Sequence, residues 1–175
     1  MRRLPQEHPT PGLDRAGLVD FLATQPDVIA AYLFGSLVNG RARPDSDIDL
    51  AILLAASPPR EEEEPDLDQV MAEFEREMAL IEALEAFVEG RRLDVVFLQR
   101  APLLLRFQVL ATGRLLYENP DRVAERVEFE VRTFKFYFDQ QPLREFAERI
   151  LHQDIREGRF GERQRHYYQP PETSG

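Results

Sequence analysis

The chain contains no cysteine. Without thiols there is no disulfide framework and no thiolate zinc site, and a reducing, cytoplasmic setting is the expected one. Long apolar runs are missing too, and none approaches the length needed to span a bilayer. The N-terminal stretch "MRRLPQEHPTPGLDRAG" opens with two arginines but has no apolar segment behind them, so it does not read as a secretory signal. Positive charge is in short supply: 22 Lys and Arg against 32 Asp and Glu leave a net charge of −10. A surface this acidic repels phosphate backbones and argues against a nucleic-acid-binding module. A single nucleotide bound with its metal is compatible with that charge, because the metal supplies the positive sign, and so is a basic protein partner.

What is present is enough for one domain with a real core and a small helical appendage: 175 residues, 43% of them apolar. Three prolines and a glycine make residues 1–12 an irregular lead. "DRAGLVDFLATQP" predicts a short helix capped by Asp14 and ended by Pro26. "VIAAYLF" reads as a buried strand cut by Gly35, and "SDIDLAILL" as a second. The loop "AASPPREEEEP" carries four consecutive glutamates, which repel one another and stay solvated. From Asp66, apolar residues at Leu67, Val70, Met71, Phe74, Met78, Ile81 and Leu84 predict an amphipathic helix in which the methionines fill core. "RRLDVVFL" is a third strand after Gly90. "PLLLRFQVLATG" is a helix closed by Gly113, and "RLLYE" a short strand. Helices over about 121–138 and 142–156 follow, then a loose tail. The order predicts an α/β or α+β core, residues 1–118, with C-terminal helices over 119–157 packing on it and a flexible tail over 158–175.

The chemistry concentrates in "FGSLVNGRARPDSDIDL". Residues two apart in a strand share a face, so Asp47 and Asp49 aim at one spot while Ile48 and Leu50 face the core. Two carboxylates that close are costly unless a cation sits between them, and hard divalent ions, Mg²⁺ above all, take such oxygen ligands. An edge strand whose acids merely face water would show the same "DID". Asp94 adds a third acid in mid-strand, flanked by Leu93 and Val95. Gly35-Ser36 directly follows a strand, where backbone N–H groups and the Ser36 hydroxyl can cradle phosphate oxygens. The ten residues between Ser36 and Asp47 are enough to bring the second strand back beside the first.

"GS", ten residues, "DID" and an isolated strand aspartate together resemble the signature of the DNA polymerase β-like nucleotidyltransferase superfamily. The short length, "FGS…RPDSDIDLAI" and "GRLLYENP…RVEFEVRTFKFYFD" resemble its minimal, MNT-type members, antitoxins found beside HEPN-type ribonuclease toxins. The likeness covers roughly residues 28–150 and is weak beyond 115. It implies a nucleotidyltransferase core with a small mixed sheet flanked by helices and a helical C-terminal part. Asp47, Asp49 and Asp94 would then be the catalytic, metal-holding acids for two Mg²⁺ ions, and Gly35 and Ser36 would bind the β- and γ-phosphates of ATP. Such members commonly carry a small residue and an arginine after the Gly-Ser pair, where this chain has Val38-Asn39. The resemblance implies that Arg41 or Arg43 would substitute there as the triphosphate contact, and Arg43 joins the expected ATP site.

The implied function is antitoxin activity by transfer of AMP from ATP to a tyrosine hydroxyl of a HEPN-type toxin. Two alternatives stand beside it: adenylylation of a small molecule such as an aminoglycoside, and neutralisation by binding alone. His8, His152 and His166 lack second ligands at metal spacing and read as surface residues. Phe129, Phe134, Phe136, Tyr137 and Phe138 cover more than one face of their helix, so some are expected in the core and others at a partner surface. Arg159, His166 and Tyr168 imitate the Arg…His-x-Tyr ribonuclease pattern by coincidence, since glycine and proline replace the helical bundle it needs.

Overall fold

The computed structural model describes residues 10–38, 43, 46–55 and 67–156. Residues 1–9 of the lead with His8, Arg41, the run of four glutamates, and the tail with Arg159, His166 and Tyr168 lie outside them.

Helix α1 (Arg15–Ala23) starts where Asp14 Oδ1 accepts the backbone N–H of Gly17 at 3.1 Å. It buries Leu18 and Leu22. Strand β1 (Val28–Phe34) is buried along its length except at Phe34, and a three-residue 3-10 turn, Gly35–Leu37, follows it without a break. Then come β2 (Ile48–Leu54), α2 (Leu67–Glu85), β3 (Leu93–Phe97), α3 (Leu103–Thr112) and β4 (Arg114–Glu118). A second 3-10 turn, Pro120–Arg122, leads into α4 (Val123–Asp139) and then α5 (Gln141–Arg156). The four strands form a mixed sheet in the order β3-β2-β1-β4. β1 lies antiparallel to both β2 and β4, whereas β2 and β3 are parallel. Parallel neighbours need a long crossover, and α2 is that crossover. No described helix is long and apolar enough to cross a membrane.

Alternation along the central strands builds two cores, one on each face of the sheet. Val28, Ala31 and Leu33 join Ile48, Leu50, Ile52 and Leu54 under Leu18 and Leu22 of α1 and Leu80 and Leu84 of α2. On the other face, Ile29, Tyr32, Ala51 and Leu53 pack with Leu98 and with Val109 of α3, and Phe129 of α4 closes over them. The chain divides within α4 into two compact units, Met1–Thr133 and Phe134–Gly175. The second holds the end of α4 and α5; in it Tyr137 and Phe138 meet edge to face at 5.7 Å. The aromatic set of α4 splits: Phe129 is packed on the core, whereas Phe136 and Phe138 are exposed.

One sequence expectation is corrected. The methionines of α2 are not core filler: Met71 and Met78 are about half exposed, as is Phe74, and Leu67 more so. The helix turns a different face to the sheet, holding it with Leu80, Leu84 and the buried carboxylate Glu77. The Glu77 carboxylate accepts from Gln99 Nε2 at 3.4 Å and lies 3.3 Å from Arg100 Nε.

Candidate functional site

The site assembles where β1 ends and β2 begins. Antiparallel register sets Phe34 opposite Asp49, so the Gly35–Leu37 turn leaves β1 directly beside that carboxylate. Gly35 adopts φ +72°, a left-handed conformation that suits glycine. It also has no room for a side chain: a Cβ there would lie 2.0 Å from Asp49 Oδ2 and 2.7 Å from its Cγ. The Ser36 backbone N–H donates to the same carboxylate. Turn and acid are thus one unit, a relation the sequence hinted at only through spacing.

Parallel register then places Asp94 of β3 beside Asp49, with Ile48 beside Leu93 and Leu50 beside Val95. Paired residues on neighbouring strands present their side chains on one face, so the two acids are neighbours. Asp47 sits one residue ahead of β2 and is exposed, Asp49 is half-buried and Asp94 is exposed on an edge strand. Ile48 and Leu50 are fully buried on the opposite face, as the alternation requires. The Asp49 carboxyl is held above the ordinary carboxylate range, first by burial, then by the negative charge of Asp94 and, more weakly, of Asp47. The Ser36 N–H pulls the other way. All three aspartates therefore share one electrostatic site.

Among the described residues no three acids close into a metal cage of their own. An oxygen-only donor set with a glycine cradle at its edge nonetheless suits a hard divalent ion, which keeps waters and substrate oxygens in its remaining positions. Arg43 falls elsewhere. Its backbone N–H donates to Ser46 Oγ at 2.8 Å, and it lines a cavity with Pro11, Gly12, Leu37, Glu89, Gly90 and Arg91. That cavity touches the turn through Leu37 but includes none of the three aspartates. His152 is exposed on α5.

A polar network with little signal in the sequence lies on the face of the sheet that carries Asp49. The Tyr32 hydroxyl, 4% exposed as a residue, donates to Glu130 Oε1 at 2.8 Å. Arg126 bridges Glu130 and Glu118, tying α4 to β1 and β4. Burial and the Glu130 carboxylate push the Tyr32 hydroxyl well above its ordinary range. Only the four-residue spacing of Arg126 and Glu130 is visible locally; Tyr32 and Glu130 are 98 residues apart.

Comparison with known proteins agrees with this geometry. The family model described as "Polymerase beta, Nucleotidyltransferase" matches residues 17–122, which spans the turn, all three aspartates and the whole sheet. The chain belongs to this nucleotidyltransferase family. No curated protein matches it. Among solved structures, a toxin-antitoxin crystal structure with AMP-PNP is 26% identical at a TM-score of 0.55, with 80% of this chain and 99% of that chain covered. A mutant form of the toxin-antitoxin MntA-HepT is 26% identical at a TM-score of 0.50, covering 78% of this chain and 94% of that one. Another mutant form, 24% identical at 0.55 with 80% and 99% covered, shares the fold.

Proposed function

We propose that the chain is the antitoxin of a HEPN-type toxin and transfers AMP from ATP to a tyrosine hydroxyl of that toxin. The observation that carries this reading is the register of Asp49 with Asp94 opposite the Gly35-Ser36 turn. The toxin-antitoxin complexes that are 26% identical to this chain, one of them with AMP-PNP, support both the partner and the nucleotide.

Asp47, Asp49 and Asp94 would hold two Mg²⁺ ions, which when bound neutralise triphosphate charge and lower the pKa of the attacking oxygen. With the Ser36 N–H held by Asp49, the Gly35 N–H and the Ser36 hydroxyl would bind β- and γ-phosphate oxygens, and Arg43 would meet the triphosphate from the cavity it shares with Leu37. Asp94 is exposed at the sheet edge, where a bulky protein acceptor has access. It takes the proton of the hydroxyl as that oxygen attacks the α-phosphorus. The new O–P bond forms, the α–β bridge breaks, and pyrophosphate leaves. The acidic surface suits docking on a basic protein and would hasten encounter at low salt.

Asp94→Asn separates this role from a purely structural one. Turnover should fall further than ATP affinity does, by at least about 100-fold, the scale of a lost general base, because proton transfer is felt only in the transition state whereas a lost metal contact weakens both. Titration calorimetry beside single-turnover kinetics reads both numbers. Parallel losses of equal size would remove the proton-transfer role.

A further inference from the structure

The face of α2 turned away from the sheet has the pattern of a helix-packing seam. Leu67, Met71, Phe74, Met78 and Ile81 succeed one another at intervals of four, three, four and three residues, the 3.5-residue period of a helix that packs along another helix. The first four are 73, 49, 51 and 47% exposed, and Val70 beside them is 40% exposed. Leu80 and Leu84, which hold α2 to the sheet, lie on a different face. A contiguous apolar row on the outside of a helix marks an interaction surface more often than a chance of composition.

The charges beside the seam decide what it fits. Asp68, Glu75 and Glu82 recur every seven residues along one flank, and all three are exposed. The nearby arginines are engaged away from the seam, Arg76 with Asp27 at 2.8 Å and Arg100 with Glu73 and Glu77 at 3.0 and 3.3 Å. A second copy of α2 laid antiparallel would set this acidic row against itself, where like charges repel, and a parallel copy would set it against Val70, Glu77 and Leu84, which offer it no positive charge. Flanking charges are what choose partner and orientation in paired helices. The four glutamates just ahead of α2 make that segment of the chain an equally poor occupant.

We propose that this seam docks an amphipathic helix of a partner protein whose apolar 3.5-residue stripe is bordered by lysine or arginine. The inference stands on α2 alone and does not depend on nucleotidyl transfer.

The probe is a labelled three-heptad helical peptide with leucine in the seam and lysine on both flanks, compared by fluorescence anisotropy with a twin carrying glutamate instead. Both are titrated with the full chain at low and high salt. The lysine peptide should bind at least about tenfold more tightly than its twin, a difference of about 1.4 kcal/mol, and the preference should shrink as salt rises. Glu75→Lys with Glu82→Lys should reverse the preference. Phe74→Ser with Met78→Ser should abolish binding of the lysine peptide, at an unfolding midpoint close to that of the parent, because the replaced side chains are exposed. Failure of the lysine peptide to bind, equal binding of the two peptides, or insensitivity to either pair of substitutions would overturn the proposal. So would self-association of the parent that disappears in the Phe74→Ser, Met78→Ser variant, since a second copy would then be the occupant.

Discussion

Asp49→Asn should lose Mg-ATP binding and yet, without metal at neutral pH, unfold at a higher temperature than the parent. The carboxyl of Asp49 is held above its usual range by burial first and then by Asp94, against the opposing pull of the Ser36 N–H. The folded state therefore disfavours the ionised form. The sign follows: the protonated group contributes stability that is fully present below the unfolded carboxylate value, about 3.9, and is lost as pH rises through the higher folded value. At pH 7 the ionised group is a cost. Asparagine removes that charge while its amide oxygen can still accept from Ser36. The gain in melting temperature should be present at pH 7 in chelator and fade as pH falls toward 4. Binding should move the other way. Removing a direct ligand should exceed the roughly 10–100-fold loss that follows removal of a ligand's outer partner. Thermal melts in chelator at the two pH values, with Mg-ATP calorimetry, check both halves. A variant less stable than the parent at pH 7, or one binding Mg-ATP as tightly, would mean that Asp49 is not a strained metal ligand.

Gly35→Ala should be among the most damaging single-methyl changes in the molecule, and Gly90→Ala is its control. Both glycines have positive φ, +72° and +68°, so both substitutions incur the left-handed strain of about 1–2 kcal/mol. They differ in what the added carbon meets. At Gly90 nothing lies within 4 Å; at Gly35 the Asp49 carboxylate lies at 2.0 Å. Alanine at 35 must drive that carboxylate off the Ser36 amide and out of register with Asp94, and a displacement of about 1 Å in a reacting constellation costs on the order of 100-fold in rate. Gly90→Ala should lose stability alone and retain transfer. In an Asp49→Ala background the stability cost of Gly35→Ala should fall toward that of Gly90→Ala, because the carboxylate is gone and only the Cβ of residue 49, 3.2 Å away, remains close. Denaturant melts of the four single and double variants read this directly. Equal costs in both backgrounds would show that Gly35 is conserving backbone conformation only.

Strands were legible in the sequence because their signals are local. "VIAAYLF" and "IDLAILL" are apolar runs bounded by turn residues, and the aspartates interrupt them with a period of two. The candidate acids were legible for the same reason, since alternation put Asp47 and Asp49 on one face and Asp94 stood alone in "RLDVVFL", whereas the pairing of Asp94 with Asp49 is a matter of strand register. Two things were not. Periodicity shows that α2 has an apolar stripe, but not which side of the helix meets the sheet; Leu80, Leu84 and Glu77 took that side, leaving Phe74 and Met78 outside. Nor can composition show that Tyr32 and Glu130, far apart in the chain, would meet in one network with Arg126. Long-range polar pairing leaves no periodic trace.

The central claim is nucleotidyl transfer to a protein. Its most direct test is to incubate the full chain with Mg-ATP and its HEPN-type partner and to read the intact mass of both proteins. The expected result is one or more AMP additions on the partner, mapped to tyrosine and absent when Asp47→Asn replaces the parent. Neutralisation of the partner with no AMP on it would contradict the claim and leave an antitoxin that acts by contact.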